Sequence, residues 1–151
     1  MFYMKISTKG RYALRMLVDL AVNEDKGFIA LKDIAERQQI SKKYLEQIVP
    51  LFNGAGILEA NRGFQGGYRL ARPADEYTVG EILRLTEGSL APVSCLEYEP
   101  NKCERCDECE TLYVWEGLYK AITTYLDGIT IEDIIDKQRR KRRQTDNIVL
   151  L

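Results

Sequence analysis

All four cysteines of this chain lie within residues 95–109, in SCLEYEPNKCERCDECETLYVW, and the chain has no histidine. Cys103-x2-Cys106-x2-Cys109 brings three thiols within one or two turns of chain, and Cys95 can return to them across a seven-residue loop. Four thiolates suit either an all-cysteine zinc site or an iron–sulfur cluster. An evenly spaced triplet is the opening of the bacterial ferredoxin run, whereas zinc sites tend to use two separated C-x2-C pairs. The spacing therefore favours an iron–sulfur cluster of 2Fe–2S or 4Fe–4S type, with zinc and a thiol or disulfide switch as alternatives. Glu97, Glu99, Glu104, Asp107, Glu108 and Glu110 surround the thiols. Their charge opposes thiolate formation and weakens the case for a simple reactive-thiol sensor, and a bound cation would reverse that argument. The bland reading of the carboxylates is a solvated loop.

At 151 residues the chain is one ordinary domain, or one small domain with an appended helical region, and it needs no staples to build a core. No apolar run approaches the roughly 20 residues that span a bilayer. The segment LRMLVDLAV is broken by Asp19 and lacks a small-residue cleavage site. The expectation is a cytoplasmic protein, in which a disulfide framework is disfavoured. MFY ahead of Met4 reads as an upstream start, since the patterned sequence begins at MKISTKGRYALR. The formal net charge of -1 conceals a division: residues 1–73 hold 12 Lys/Arg against 7 Asp/Glu, residues 74–136 hold 4 against 15, and residues 137–151 hold 6 against 1. A basic front half on a nearly neutral chain points to a polyanion partner for that half.

The elements that must position these groups are mostly helical. Ala13, Met16, Leu17, Leu20 and Ala21 predict an amphipathic helix from Ser7 or Thr8 to about Asn23. ALKDIAERQQ turns Leu31, Ile34 and Ala35 to one face; after a short break Ser41 is a plausible N-cap for KKYLEQIV, with Tyr44, Leu45, Ile48 and Val49 inward. Two short helices across a tight turn are the layout of a helix-turn-helix. Pro50 is expected to kink or end the second helix. Residues 57–61 and 67–71 alternate as two short strands around RGFQGG, so the unit reads as a winged helix. Beyond Pro73, Thr78-Val-Gly-Glu81 is a capping box opening a helix to about Glu87 that presents Val79, Ile82, Leu83 and Leu85. After the cysteines, Leu112, Trp115, Leu118, Tyr119, Ile122, Tyr125 and Leu126 form a wide apolar stripe on a long helix, read first as a dimer seam, with burial within the same chain as the alternative, and with Gly117 its weak point. Thr130-Ile-Glu-Asp133 starts a last short helix before KQRRKRRQTDNIVLL.

The expected architecture is mainly α with a small β-hairpin wing. It comprises a winged helix-turn-helix DNA-binding domain over 1–73, a sensor and dimerisation region over 74–136 containing the cysteine loop, and a basic, flexible tail over 137–151. On the second helix of the turn motif Ser41, Lys42, Lys43 and Gln47 face outward, where Lys meets guanine acceptors or phosphate and Gln bonds adenine. Arg62 stands at the wing tip, suited to a narrow minor groove. Alone, RGFQGGY is a plain hairpin turn, and it lacks the Gly-Lys-Ser/Thr ending of a nucleotide loop. The basic front half favours DNA over a protein-interaction role. The tail either adds phosphate contacts or is simply solvated. No catalytic constellation is visible, so the expectation is a non-enzyme.

MKISTKGRYALRMLVDLA, ISKKYLEQIV, NRGFQGGYRLARP, the YTVGEIL helix and the cysteine loop leading into Trp115 together resemble the Rrf-two (Rrf2) family of winged-helix transcription regulators, the class of IscR, NsrR and CymR, over about Met4 to Ile135. The resemblance implies a homodimer crossed along the long C-terminal helix, binding a pseudo-palindromic operator with two winged helices. It carries DNA contacts onto Ser41, Lys43, Gln47 and Arg62. In CymR-like members the cysteines are missing and control comes through a partner enzyme of cysteine synthesis. In the others three cysteines hold an iron–sulfur cluster reporting iron, oxygen, redox state or nitric oxide. Cys95-x7-Cys103-x5-Cys109 is similar to the NsrR-type spacing, with a slightly longer first interval, and Trp115 follows at the family distance. The departure is the fourth ligand: the IscR-type histidine falls at Leu112 and the NsrR-type aspartate at Arg11, and neither can serve. Cys106 is extra to the pattern and is the favoured fourth ligand, because thiolate is the preferred donor. Glu108, Glu110 or a residue of the other subunit remain alternatives.

The reading is a cytoplasmic, dimeric DNA-binding regulator, a repressor first, whose operator affinity follows a cysteine-ligated cluster. The alternatives are a cluster-free regulator with structural zinc, a thiol switch or a regulatory protein partner, and, from another class, an iron–sulfur electron-transfer protein.

Overall fold

The computed structural model describes residues 5–150; the upstream start read at MFY, ahead of Met4, lies outside them. Six α-helices and one two-stranded sheet follow in the order α1 (Thr8–Val22), α2 (Leu31–Gln38), α3 (Lys42–Gly54), β1 (Leu58–Asn61), β2 (Gly67–Leu70), α4 (Val79–Glu87), α5 (Leu112–Asp127) and α6 (Ile131–Val149). This is the mainly α architecture with a hairpin wing that the periodicity predicts.

Helix α1 starts where Ser7 accepts a hydrogen bond from the Gly10 amide at 3.1 Å, and it buries Ala13, Met16, Leu17, Leu20 and Ala21. Helix α2 stops because Gln39 takes a left-handed conformation, φ 52°, and the chain reverses through buried Ile40 into Ser41. Ser41 caps α3 by accepting from the Tyr44 amide at 3.1 Å. Pro50 does not end α3, which continues to Gly54. Pro50 and Glu46, whose carbonyl loses its helical donor, both face solvent, while Val49 and Phe52 on either side are buried. Burying each contributes roughly 1.5–3 kcal/mol, together enough to offset the ~3 kcal/mol cost of an interior proline.

The wing pairs Leu58 with Leu70, Glu59 with Arg69, Ala60 with Tyr68 and Asn61 with Gly67, antiparallel. A third segment joins it: Ile29 and Tyr68 exchange backbone hydrogen bonds, each 2.8 Å. Gly67 permits this, since a Cβ there would collide with the Ile29 carbonyl.

The core crosses the Pro73 junction. Tyr77, fully buried, donates its hydroxyl to the Ile57 carbonyl at 2.9 Å and accepts from the Arg72 amide at 2.8 Å. Ala74, Tyr77, Ile82, Ile131 and Ile135 share one apolar cluster with α1, α2 and α3. Thr78 caps α4 through the Glu81 amide, but Glu81 turns its carboxylate to Arg72 at 2.7 Å, so only half of that expected box forms. The box at Thr130 and Asp133 is complete, at 3.0 and 2.9 Å.

The last helix differs most from expectation. In place of a short helix ending before the basic run, α6 runs unbroken to Val149, through the whole of that run. Ile131 and Ile135 anchor its first turns in the core, and once a helix is nucleated each added residue needs only one more hydrogen bond. No helix among the described residues is long and apolar enough to cross a membrane.

Candidate nucleic-acid interface and cysteine loop

Helix α3 turns Leu45, Ile48 and Val49 into the core and half-buries Tyr44, leaving Ser41, Lys42, Lys43 and Gln47 exposed as the spacing predicts. Ser41 uses a lone pair as the cap acceptor, so its hydroxyl proton stays available to donate. Lys42 is partly committed, 3.6 Å from Glu46 one turn on. Lys43 and Gln47, also one turn apart, have no ion-pair partner or side-chain hydrogen bond among the described residues. Arg62 is exposed at the wing, whereas Arg69 is engaged by Glu59 at 2.6 Å and lies over the Phe28 ring at 4.4 Å. The tip is set by Gly63 (φ 110°), Gln65 (φ 59°) and the Gly66 amide donating to the Gly63 carbonyl at 2.9 Å. This turn holds Phe64 at 96% exposure, the most exposed large apolar side chain described.

Two features of this head escape the sequence reading. Phe64 is one; the signal was an aromatic residue set among glycines in RGFQGG. The other is a polar lock that joins α1 to α2. Asp19, with its side chain 3% exposed, accepts from Arg37 Nη2 at 2.6 Å, Arg37 Nε at 3.0 Å and Gln38 Nε2 at 3.0 Å. Arg15 donates to the Gln38 side chain at 3.2 Å and to its carbonyl. Its guanidinium lies over Tyr12, which packs edge-to-face on Tyr44 of α3 at 5.3 Å. An acid at the inward phase of an apolar helix demands a buried partner, and that was the overlooked signal.

The cysteine loop links α4 to α5. Cys95 sits in a single 3₁₀ turn, Ser94–Leu96. The Cys106 amide donates to the Cys103 carbonyl at 3.1 Å, making a turn of Cys103-x2-Cys106, and the 3₁₀ turn Cys106–Glu108 follows. Cys109 stands at the foot of α5, its carbonyl accepting from the Leu112 amide at 3.3 Å. All four thiols are free of disulfides; Cys103 is exposed and the other three half-exposed. Their environments differ. The Thr111 hydroxyl, then the Thr111 and Leu112 amides, hold the Cys109 thiol below its ordinary value. Lost hydration, then the Asp107 carboxylate, push the Cys106 thiol up.

The donor set matches an iron–sulfur cluster in chemistry: four sulfur donors, none in a disulfide, on one surface loop. It is not gathered, since no three or more Cys, Asp or Glu side chains among the described residues converge in a way that could hold a metal ion. Arg11 and Leu112 are seen where expected, exposed on α1 and opening α5, and neither offers a donor.

Helix α5 connects this loop to the helix-turn-helix head. Tyr119, Ile122 and Leu126 pack on Val79, Leu83 and Leu90, and Arg84 of α4 grips Asp127 with two bonds of 2.7 and 2.9 Å. That guanidinium holds the Asp127 carboxyl below the usual carboxylate range. At the C-terminal end of α4, Glu87 accepts from the Ser7 hydroxyl at 2.6 Å and the Ser7 amide at 3.1 Å. No residue of α5 itself is fully buried, and Tyr113 and Tyr125 are 74% and 68% exposed.

Comparison with known proteins agrees with this geometry. The family model for Rrf2, described as an iron-dependent transcriptional regulator, matches residues 6–137. CymR of Bacillus subtilis is 40% identical over 132 residues, covering 87% of this chain and 89% of its own. The solved structure of that protein, the global cysteine regulator of B. subtilis, superposes with a TM-score of 0.73 over 88% of this chain and 97% of its own, at 37% identity. IscR of T. potens superposes with a TM-score of 0.70 over 89% and 88%, also at 37% identity. The chain belongs to the Rrf2 family of transcriptional regulators.

Proposed function

We propose that this protein is a homodimeric DNA-binding repressor whose operator affinity depends on an iron–sulfur cluster held by the loop 95–109. The observation that carries the reading is the reading head. A Ser41-capped helix presents uncommitted Lys43 and Gln47, and the hairpin wing presents Arg62, in a chain whose relatives are transcriptional regulators. Each good base contact contributes roughly 1–3 kcal/mol of discrimination. A stand-alone electron-transfer protein would leave these residues without a role. The half-exposed apolar stripe of α5 is the surface that a second copy would cover, and two copies place two recognition helices on one pseudo-palindromic site.

Cys95, Cys103 and Cys109 would hold the cluster, with Cys106 as the fourth donor. When bound, such a group supplies a centre that responds to redox state and iron supply. The chain's own part is transmission. Residues 95–109 end at the foot of α5; α5 is clamped to α4 by Arg84 and Asp127; α4 is tied to α1 by Glu87 and Ser7; and α1 carries the Asp19 lock on the helix-turn-helix. A change in how the loop is held thus shifts the angle between the two recognition helices. A coupling of about 1–3 kcal/mol changes affinity roughly 5 to 150-fold.

A second reading, control through the thiols themselves or through a partner protein, is favoured by the ungathered cysteines and by the similarity to CymR. The deciding experiment is anaerobic purification with visible absorption and iron, sulfide and zinc assays, followed by binding to DNA fragments selected by the protein from its own genome. A brown protein with iron and sulfide in equal amounts, losing or gaining at least fivefold affinity when the cluster is removed, is expected. A colourless protein that resists reconstitution overturns the cluster reading in favour of zinc or thiol control. Failure to select any DNA overturns the regulator reading itself.

A further inference from the structure

Past Asp136, helix α6 leaves the fold. Ile131 and Ile135 are buried, yet every described residue from Lys137 to Leu150 is exposed, and the family match ends at 137. Six cations occupy Lys137 to Arg143, interrupted only by Gln138. Only Arg139 has carboxylates in reach, Glu132 and Asp136, each at 3.7 Å; Lys137, Arg140, Lys141, Arg142 and Arg143 have none within ion-pair distance among the described residues.

Such a helix works against itself. Lys137 and Lys141, Arg139 and Arg143, Arg139 and Arg142, and Arg140 and Arg143 are like charges three or four residues apart, an arrangement that destabilises a helix until an external anion neutralises it. At 100° per residue the cations point all round the axis, so this stretch has no apolar face for docking on a folded protein. Its charge density matches one partner. At about 1.5 Å rise per residue, the run carries roughly one positive charge per 1.7 Å of axis. Duplex DNA carries about one negative charge per 1.7 Å.

We propose that α6 beyond Asp136 is a second DNA-contacting element of this chain, a helical arm that engages the phosphate backbone independently of base sequence. The proposal builds on the DNA-binding reading above and assigns the arm a task separate from the winged helix: raising affinity for duplex of any sequence.

The test uses the full-length chain and a full-length variant carrying Arg140→Gln, Lys141→Gln, Arg142→Gln and Arg143→Gln, which preserves length and helix propensity. Affinity for a 30-base-pair duplex of mixed sequence is measured by fluorescence anisotropy from 50 to 300 mM KCl, with circular dichroism and urea unfolding confirming that both proteins fold alike. Losing four phosphate contacts lowers the slope of log affinity against log salt by about 3 to 4, and the variant should bind at least tenfold more weakly at 100 mM. Superimposable slopes overturn the proposal, as would a variant whose only change is in self-association, which would place the arm on the acidic cysteine loop of a second copy. If the unaltered protein binds neither this duplex nor selected DNA, the regulator reading falls instead.

Discussion

The Asp19 lock makes a quantitative claim, because its two charges differ sharply in their access to water. The Asp19 side chain is 3% exposed and that of Arg37 is 35% exposed. Arg37→Ala therefore strands a carboxylate in the interior with one remaining donor, Gln38 Nε2 at 3.0 Å. Removing one partner of a buried pair costs about 3–5 kcal/mol, and with Gln38 still donating the lower end, about 3 kcal/mol, is expected. Asp19→Ala leaves a guanidinium that already reaches solvent. Its loss is that of charge-assisted hydrogen bonds, about 1.5–3 kcal/mol each when undiluted, discounted by hydration to about 1–2 kcal/mol in all. The arginine variant should thus be the less stable by roughly 1–2 kcal/mol, a factor of about 5 to 30 in the folded to unfolded ratio. The assay is urea denaturation followed by circular dichroism at one protein concentration, with the double variant closing a cycle. Equal losses from the two single variants, or a smaller loss from Arg37→Ala, would refute the assignment of Asp19 as the uncompensated charge.

Three further outcomes follow from the same geometry. Lys43→Ala and Gln47→Ala should each weaken binding to selected DNA by about 1–3 kcal/mol while leaving urea midpoints unchanged, since neither side chain supports the fold; unaltered binding would remove them from the interface. Gly10→Ala should destabilise the protein even though helix propensity alone favours alanine by up to about 1 kcal/mol, because a Cβ there displaces the Glu87 carboxylate from its two hydrogen bonds with Ser7 and crowds Leu83 and Thr86, each at 3.1 Å; a raised melting temperature would refute that contact. The Arg84–Asp127 clamp depresses the Asp127 carboxyl, so its stabilisation is present above the ordinary carboxylate range and is lost as pH falls through the lowered value. Both side chains are more than a third exposed, which limits the effect to about 0.2–1 kcal/mol and makes it salt-sensitive. Asp127→Asn should abolish that acid-dependent fraction, and an identical pH–stability curve for the variant would show the clamp to be energetically silent.

Much of the reading head is written locally. Ser7, Ser41, Thr78 and Thr130 all cap helices through their own side chains, an interaction that reaches only three residues along the chain. The inward faces of α1 and α3 follow from 3.6-residue periodicity, and so does the exposure of Lys43 and Gln47. The four cysteines and the acidic loop around them were plain from composition and spacing.

What the chain alone did not disclose depends on contacts between distant residues. Pro50 read as a kink or a stop until Val49 and Phe52 were seen buried on both sides of it. Asp19 looked like a mere interruption until Arg37 and Gln38 arrived from α2. The Glu81 carboxylate left its expected cap for Arg72, and Ile29 joined the wing. The basic run past Asp136 looked like a tail until Ile131 and Ile135, docked under Tyr77 and α1, nucleated the helix that carries it. Sequence by itself determined the elements, their caps and the donor chemistry, because those interactions are local. Only the tertiary structure decided which charges are buried, which helix continues and whether the thiols meet, because burial and pairing are set by parts of the chain that periodicity cannot bring together.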